Sequence, residues 1–109
     1  MGLAEPLSVS QALLSTDNYV SMAVIDTGVA SSLTYTLKAA TNNLHWQVRG
    51  GNLADMSDAV VVQSQATVNA AAIGTFTASP AYYRYYDVQI KAASAGNQGT
   101  GTVNGIAKA

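Results

Sequence analysis

The one histidine, His45, stands beside Trp46 and shares a strand face with Gln47 and Arg49. Acid–base work by an imidazole needs a neighbouring carboxylate, and metal binding needs a second ligand. The local sequence supplies neither. Asp55 and Asp58 fall in one loop, at a spacing too loose for a calcium loop. Asp17 and Asp26 precede Asn18 and Thr27-Gly28, where turn chemistry accounts for an acid. The chain has no cysteine, which excludes thiolate nucleophiles, disulfides and Cys-based metal sites. Its serines form no G-x-S-x-G elbow, and its glycines form neither a phosphate loop nor a dinucleotide fingerprint. The expectation is a protein that is not an enzyme and takes no cofactor and no metal.

The tyrosines offer binding instead. Tyr82, Tyr83, Tyr85 and Tyr86 surround Arg84. A strand from Tyr82 to Ala92 puts Tyr82, Arg84, Tyr86, Val88, Ile90 and Ala92 on one face and Tyr83, Tyr85, Asp87, Gln89 and Lys91 on the other. The second face grows polar along its length, so it should face outward with Tyr83 and Tyr85 exposed. Exposed tyrosines suit protein interfaces and sugar stacking alike, since each offers a large rigid area and one hydroxyl. They also serve as cross-strand pairs that stabilise a sheet. Trp46 joins Tyr83 and Tyr85 as a candidate ligand-stacking surface. Arg84 should lean inward and find a carboxylate or several carbonyls, and Asp87, on the opposite face, is not the obvious partner.

Strand patterns position these residues. Ser32 to Ala39 alternates cleanly, with Leu33, Tyr35, Leu37 and Ala39 inward. Leu44 to Arg49 repeats the pattern, and Asn42-Asn43 between them reads as a hairpin turn. Gly99 to Ala107 answers the Tyr82 to Ala92 run across the loop at 93–98. Further strands are expected at Leu7–Leu14, Tyr19–Ile25, Ala59–Gln65 and Gly74–Ala78. The two best helical candidates, Asn52 to Ala59 and Ala66 to Ile73, are short or flanked by strand formers. The pattern predicts an all-β antiparallel β-sandwich, jelly-roll or Ig-like, of seven to eight strands. Its expected core is Leu33, Tyr35, Leu37, Leu44, Trp46, Val48, Val60, Val62, Phe76, Val88, Ile90 and Val103.

The 109 residues suit a single sandwich domain with an N-terminal arm over about residues 1–8. Only 10% of the chain is charged and 49% is hydrophobic, whereas about a quarter of an ordinary soluble domain is charged. Five basic residues against six acidic give a net charge of −1. That leaves nothing to drive nucleic-acid binding or attraction to a membrane surface. No run is long and apolar enough to cross a membrane. Residues 1–6 lack the basic and apolar regions of a signal peptide, so folding in a cytoplasm is expected. A free monomer keeps its neighbours away with a mixed, well-charged surface. A β-rich chain without one is expected to be covered by other chains. In the arm, Leu3 and Leu7 are the expected apolar anchors and Pro6 stiffens an extended entry. Alternatively, the arm folds back over its own sheet edge.

The stretch from Ala78 through Tyr82-Tyr83-Arg84-Tyr85-Tyr86-Asp87-Val88-Gln89-Ile90-Lys91, with Gly99-Thr100-Gly101-Thr102-Val103-Asn104-Gly105-Ile106-Ala107-Lys108 after it, resembles the closing hairpin of small tailed-phage virion proteins. The resemblance covers roughly the last third of the chain and carries no catalytic residues. It implies a β-sandwich of the capsid decoration or cement type, stabilising a phage head through protein–protein contacts. The implied partners are the major capsid protein or other virion proteins and the chain's own copies, as a homo-oligomer such as a trimer. The implied location is the virion, assembled in the host cytoplasm. Leu3, Pro6, Leu7, Tyr83 and Tyr85 are then the expected interface residues. The alternatives are a carbohydrate- or receptor-binding module and a tail or head–tail connector component.

Overall fold

A computed structural model describes residues 7–11, 19–28, 32–94 and 99–108. They form eight strands: β1 (Leu7–Gln11), β2 (Val20–Asp26), β3 (Ser32–Ala39), β4 (Leu44–Gly51), β5 (Val60–Val68), β6 (Ile73–Ala78), β7 (Tyr85–Ala92) and β8 (Gly101–Lys108). Two four-stranded antiparallel sheets result. One, here the A sheet, has the order β1-β8-β3-β6, and the other, the B sheet, has the order β2-β7-β4-β5. This is jelly-roll topology, and no helix occurs among the described residues.

The core forms where the alternating strands turn their apolar faces together. Leu33, Tyr35, Leu37, Leu44, Trp46, Val48, Val88, Ile90 and Val103 are buried as their spacing predicts, with Met22, Ile25, Val68 and Tyr86 beside them. The Tyr35 hydroxyl donates to the Tyr86 carbonyl at 2.9 Å and ties the A sheet to the B sheet through the middle of the core. Burial pushes that hydroxyl far above its ordinary pKa. Gly74 lies close under Val68 and the Trp46 ring. A Cβ there would lie 2.7 Å from Val68 Cγ2 and 3.1 Å from Trp46 Cζ2.

Four sequence-based expectations give way. First, Asn42-Asn43 does not close a hairpin. β3 pairs with β6 and β8, and β4 with β5 and β7, so the turn carries the chain from one sheet to the other. Second, β7 and β8 likewise lie in different sheets and form no closing hairpin. Among the described strands only β4 and β5 are paired neighbours in sequence. Alternation reveals which face of a strand is buried but not which strand lies beside it.

Third, Val60 and Val62 are not core residues, being 50% and 37% exposed, and Phe76 is only partly buried. β5 is an edge strand whose register runs Trp46–Ala66, Val48–Gln63, Arg49–Val61. Two steps on β4 meet three on β5, then one meets two, so β5 carries two extra residues and loses strict alternation. Fourth, β7 begins at Tyr85, not Tyr82. The inward face from Tyr86 onward is as expected, but the alternation does not extend back through residues 79–84. At the N-terminus, Leu7 and Ser8 are within β1, where they pair with Gly105 and Asn104 of the same chain. The backbone of the expected arm therefore joins the sandwich from Leu7, and residues 1–6 lie outside the described residues.

Candidate interaction surface

The loop at residues 79–84 sits at one end of the sandwich and is held from three sides. The Thr27 N–H donates to the Arg84 carbonyl at 2.6 Å. The Thr27 hydroxyl lies 3.0 Å from the Tyr83 carbonyl and 2.8 Å from that of Arg84. The Tyr86 hydroxyl accepts the N–H groups of Tyr82 and Tyr83 at 3.1 and 3.3 Å. The Arg84 N–H donates to Asn52 Oδ1 at 3.3 Å, which joins this loop to the one at residues 52–59. That second loop is pinned by Asp58, whose carboxylate accepts the N–H groups of Asn52 and Leu53.

Arg84 points outward, not inward. Its Nε and Nη2 reach the two carboxylate oxygens of Asp26 at 3.2 and 3.3 Å, and its guanidinium carbon lies 5.3 Å from the centre of the Tyr85 ring. The expected carboxylate partner therefore exists, but at the surface. The hydrogen bond from Arg84 holds the Asp26 carboxyl below the usual carboxylate range, and the same bond raises the Arg84 pKa.

The tyrosines divide differently from the expected pattern. Tyr83 is half-buried, lying over Gly50 and edge-on to Tyr86 at 6.0 Å between ring centres. Tyr85 is half-buried beneath Arg84. Tyr82, expected inside, is 82% exposed. Strand alternation could not find it, because it lies in a loop fixed by Thr27, Asn52 and Tyr86 rather than in a strand. Trp46 is 2% exposed, so the stacking role expected of it is closed off by burial in the core. Leu3 and Pro6 lie outside the described residues, and of Leu7 the backbone pairing alone is described.

The outer face of the B sheet carries most of the remaining polar groups. Arg49 Nη2 meets Asp87 Oδ2 at 2.9 Å, and the Ser21 hydroxyl donates to Asp87 Oδ1 at 2.6 Å. Asp87, expected to face solvent, has no exposed surface. It lies at the centre of a row running Val24, Asp87, Arg49, Val61 across four strands, and its neighbours cover it. Gln47 donates to Gln89 at 2.7 Å, and Lys91 lies 4.7 Å over the Tyr19 ring. His45 shares a hydrogen bond with Thr67 at 3.1 Å. No cluster of three or more His, Cys, Asp or Glu occurs among the described residues.

The side of the sandwich formed by β5 and β6 is of another character. No Asp, Glu, Lys or Arg occurs between Asp58 and Arg84, and Val60, Val61, Val62 and Ile73 are 37–63% exposed there. The described surface therefore pairs an aromatic tip with an uncharged flank.

No family model matches the chain, and no curated protein sequence matches it. Solved structures share its fold. The SPBc2 prophage-derived protein YomS aligns over 100% of this chain and 96% of its own, with a TM-score of 0.66 and 9% identity. A protein of the Bacillus endospore appendages, described as a novel family of disulfide-linked pili, aligns over 97% of this chain and 87% of its own, with a TM-score of 0.60 and 12% identity. At these identities the likeness is one of fold. The chain is an all-β jelly roll of the architecture seen in a prophage-derived protein and in an appendage protein.

Proposed function

We propose that this protein is a structural virion component, of the type that decorates or cements a phage capsid through protein–protein contacts. The observation that carries the reading is the uncharged flank, where four large aliphatic side chains stand exposed on two edge strands. A soluble monomer rarely leaves such a flank open to water, whereas a subunit covered by its neighbours gains from it. The jelly roll shared with a prophage-derived protein supports a phage setting. The 109 residues contain no cysteine, so no disulfide from them contributes to association. The partners are the major capsid protein or another virion protein and further copies of this chain, with the tip tyrosines and residues 1–6 as added contacts. Counting and locating this chain in purified particles tests the reading.

A receptor- or carbohydrate-binding role is the second reading, favoured by Tyr82. The residue is 82% exposed on a loop already fixed in place, so little ordering entropy opposes stacking on a ligand. Glycan-array binding that is lost in Tyr82→Ala would favour it over the capsid role.

A further inference from the structure

The jelly roll has four edge strands, and they are not alike. Those of the B sheet are irregular. β2 shifts register between Ser21 and Ala23 and ends at Asp26, while β5 carries its two extra residues. Bulges and charges of this kind are how proteins stop an edge from pairing with another chain. The edges of the A sheet have neither. β6 keeps one register with β3 over all six pairs, from Leu33–Ala78 to Lys38–Ile73. β1 keeps one register with β8 over all five pairs, from Leu7–Gly105 to Gln11–Gly101. Neither Ile73–Ala78 nor Leu7–Gln11 contains a charge or a proline. Among the described residues each has a partner strand on one side only.

We infer that copies of this chain join through these two edges, β6 of one copy pairing with β1 of the next, so that the A sheet continues from copy to copy. Strand polarity supports a second copy as the occupant. Every neighbouring pair in β1-β8-β3-β6 is antiparallel, so β1 and β6 run in opposite senses. A second copy laid alongside in the same orientation therefore brings its β1 antiparallel to β6, the pairing that gives straight hydrogen bonds. Charge supports it as well. The β5–β6 flank is uncharged, and so are residues 6–16, which include β1, and β2 as far as Ile25. Two-fold pairing of β6 with β6 would leave every β1 edge open, whereas head-to-tail pairing uses both and grows into a ring or a filament. A sheet twists by roughly 20–25° per strand, so each copy turns on the order of a quarter turn from the last. This names the self-contact within the structural role proposed above, and it stands or falls without any particle.

The test exploits the absence of cysteine. Thr75 lies on the exposed face of β6, and Ser8 and Ser10 occupy β1 register positions opposite Asn104 and Thr102. Full-length Thr75→Cys is mixed with Ser8→Cys or Ser10→Cys and oxidised, and sedimentation of the unmodified chain is followed from micromolar to millimolar concentration. The expected result is disulfide-linked dimers in a mixed sample, with little from Thr75→Cys alone, and a mass that grows by whole chains as concentration rises. Cross-linking of Thr75→Cys mainly with itself would show two-fold pairing and overturn the inference. So would an unmodified chain that stays monomeric throughout, whatever the cysteine variants do. Absence of the chain from purified particles, by contrast, counts against the virion role and leaves this result untouched.

Discussion

Asp87 and Arg49 meet at 2.9 Å across the β4–β7 pair, the carboxylate closed off from water and the guanidinium still 26% exposed. The pair sits on the outer face of the B sheet, flanked by Val24 and Val61, where alternation would place a solvated acid. Its two halves differ in what they can recover once the partner is gone. In Asp87→Ala, Arg49 turns toward solvent, and the loss should fall near or below the low end of the about 3–5 kcal/mol for a broken buried pair. In Arg49→Ala, Asp87 keeps Ser21 but loses its cation at a site still flanked by Val24 and Val61, so the loss should exceed that of Asp87→Ala. Denaturant unfolding of both variants checks the order, and equal losses would mean that Asp87 reaches solvent.

Gly50→Ala tests how the tip is held. A Cβ at Gly50 would lie 2.5 Å from Tyr83 Cδ2, so the ring has to move off Tyr86. The expected cost is about 1–3 kcal/mol, with a changed near-ultraviolet circular dichroism signal from the displaced tyrosines. Tyr82→Ala touches none of that packing and should leave stability within about 0.5 kcal/mol. Thermal melts of the two variants separate the ring that builds the tip from the ring that is presented by it.

Two of the shifted groups give pH dependences of opposite sign. The pKa of Asp26 is lowered in the fold by Arg84. Its contribution is therefore present above the ordinary carboxylate value of about 3.9 and lost as pH falls through the lowered one. The gap in melting temperature between Asp26→Asn and the parent should be open at neutral pH and closed in strong acid. The pKa of Tyr35 is raised by burial, so folding keeps its proton where the unfolded chain gives it up. Stability should fall as pH rises above about 10. Tyr35→Phe should weaken that alkaline loss and remove the bond to the Tyr86 carbonyl, one such bond being worth about 0.5–1.5 kcal/mol. Melting curves across the pH range check both signs.

Much of the fold is legible along single strands. Ser32–Ala39 and the run from Leu44 declare their buried faces by alternation, and the inward side of β7 is right from Tyr86 to Ala92. What failed depends on partners distant in sequence. Asn42-Asn43 has the composition of a hairpin turn, yet β3 finds β8 and β6 rather than β4. Asp87 is buried because Ser21 and Arg49 come to it from two other strands. Tyr82 is presented because Thr27, Asn52 and Tyr86 fix its loop. The chain's low charge predicts a covered surface, but which side is bare emerges only once β5 and β6 are placed together.

Removal of residues 1–6 separates assembly from folding. β1 begins at Leu7 and pairs from there with β8, so the truncated chain keeps every described strand and should still fold. If Leu3 and Pro6 contact another chain in the particle, its occupancy there should fall. A lower melting temperature with unchanged occupancy would assign the segment to the sandwich itself.

The structural role is tested most directly by quantitative mass spectrometry of purified particles, combined with cryo-electron microscopy to place the chain. A structural virion protein should be present in many copies in a fixed ratio to the major capsid protein, with the uncharged β5–β6 flank covered by neighbouring protein. Particles that lack the chain, or carry it with that flank open to solvent, would contradict that role.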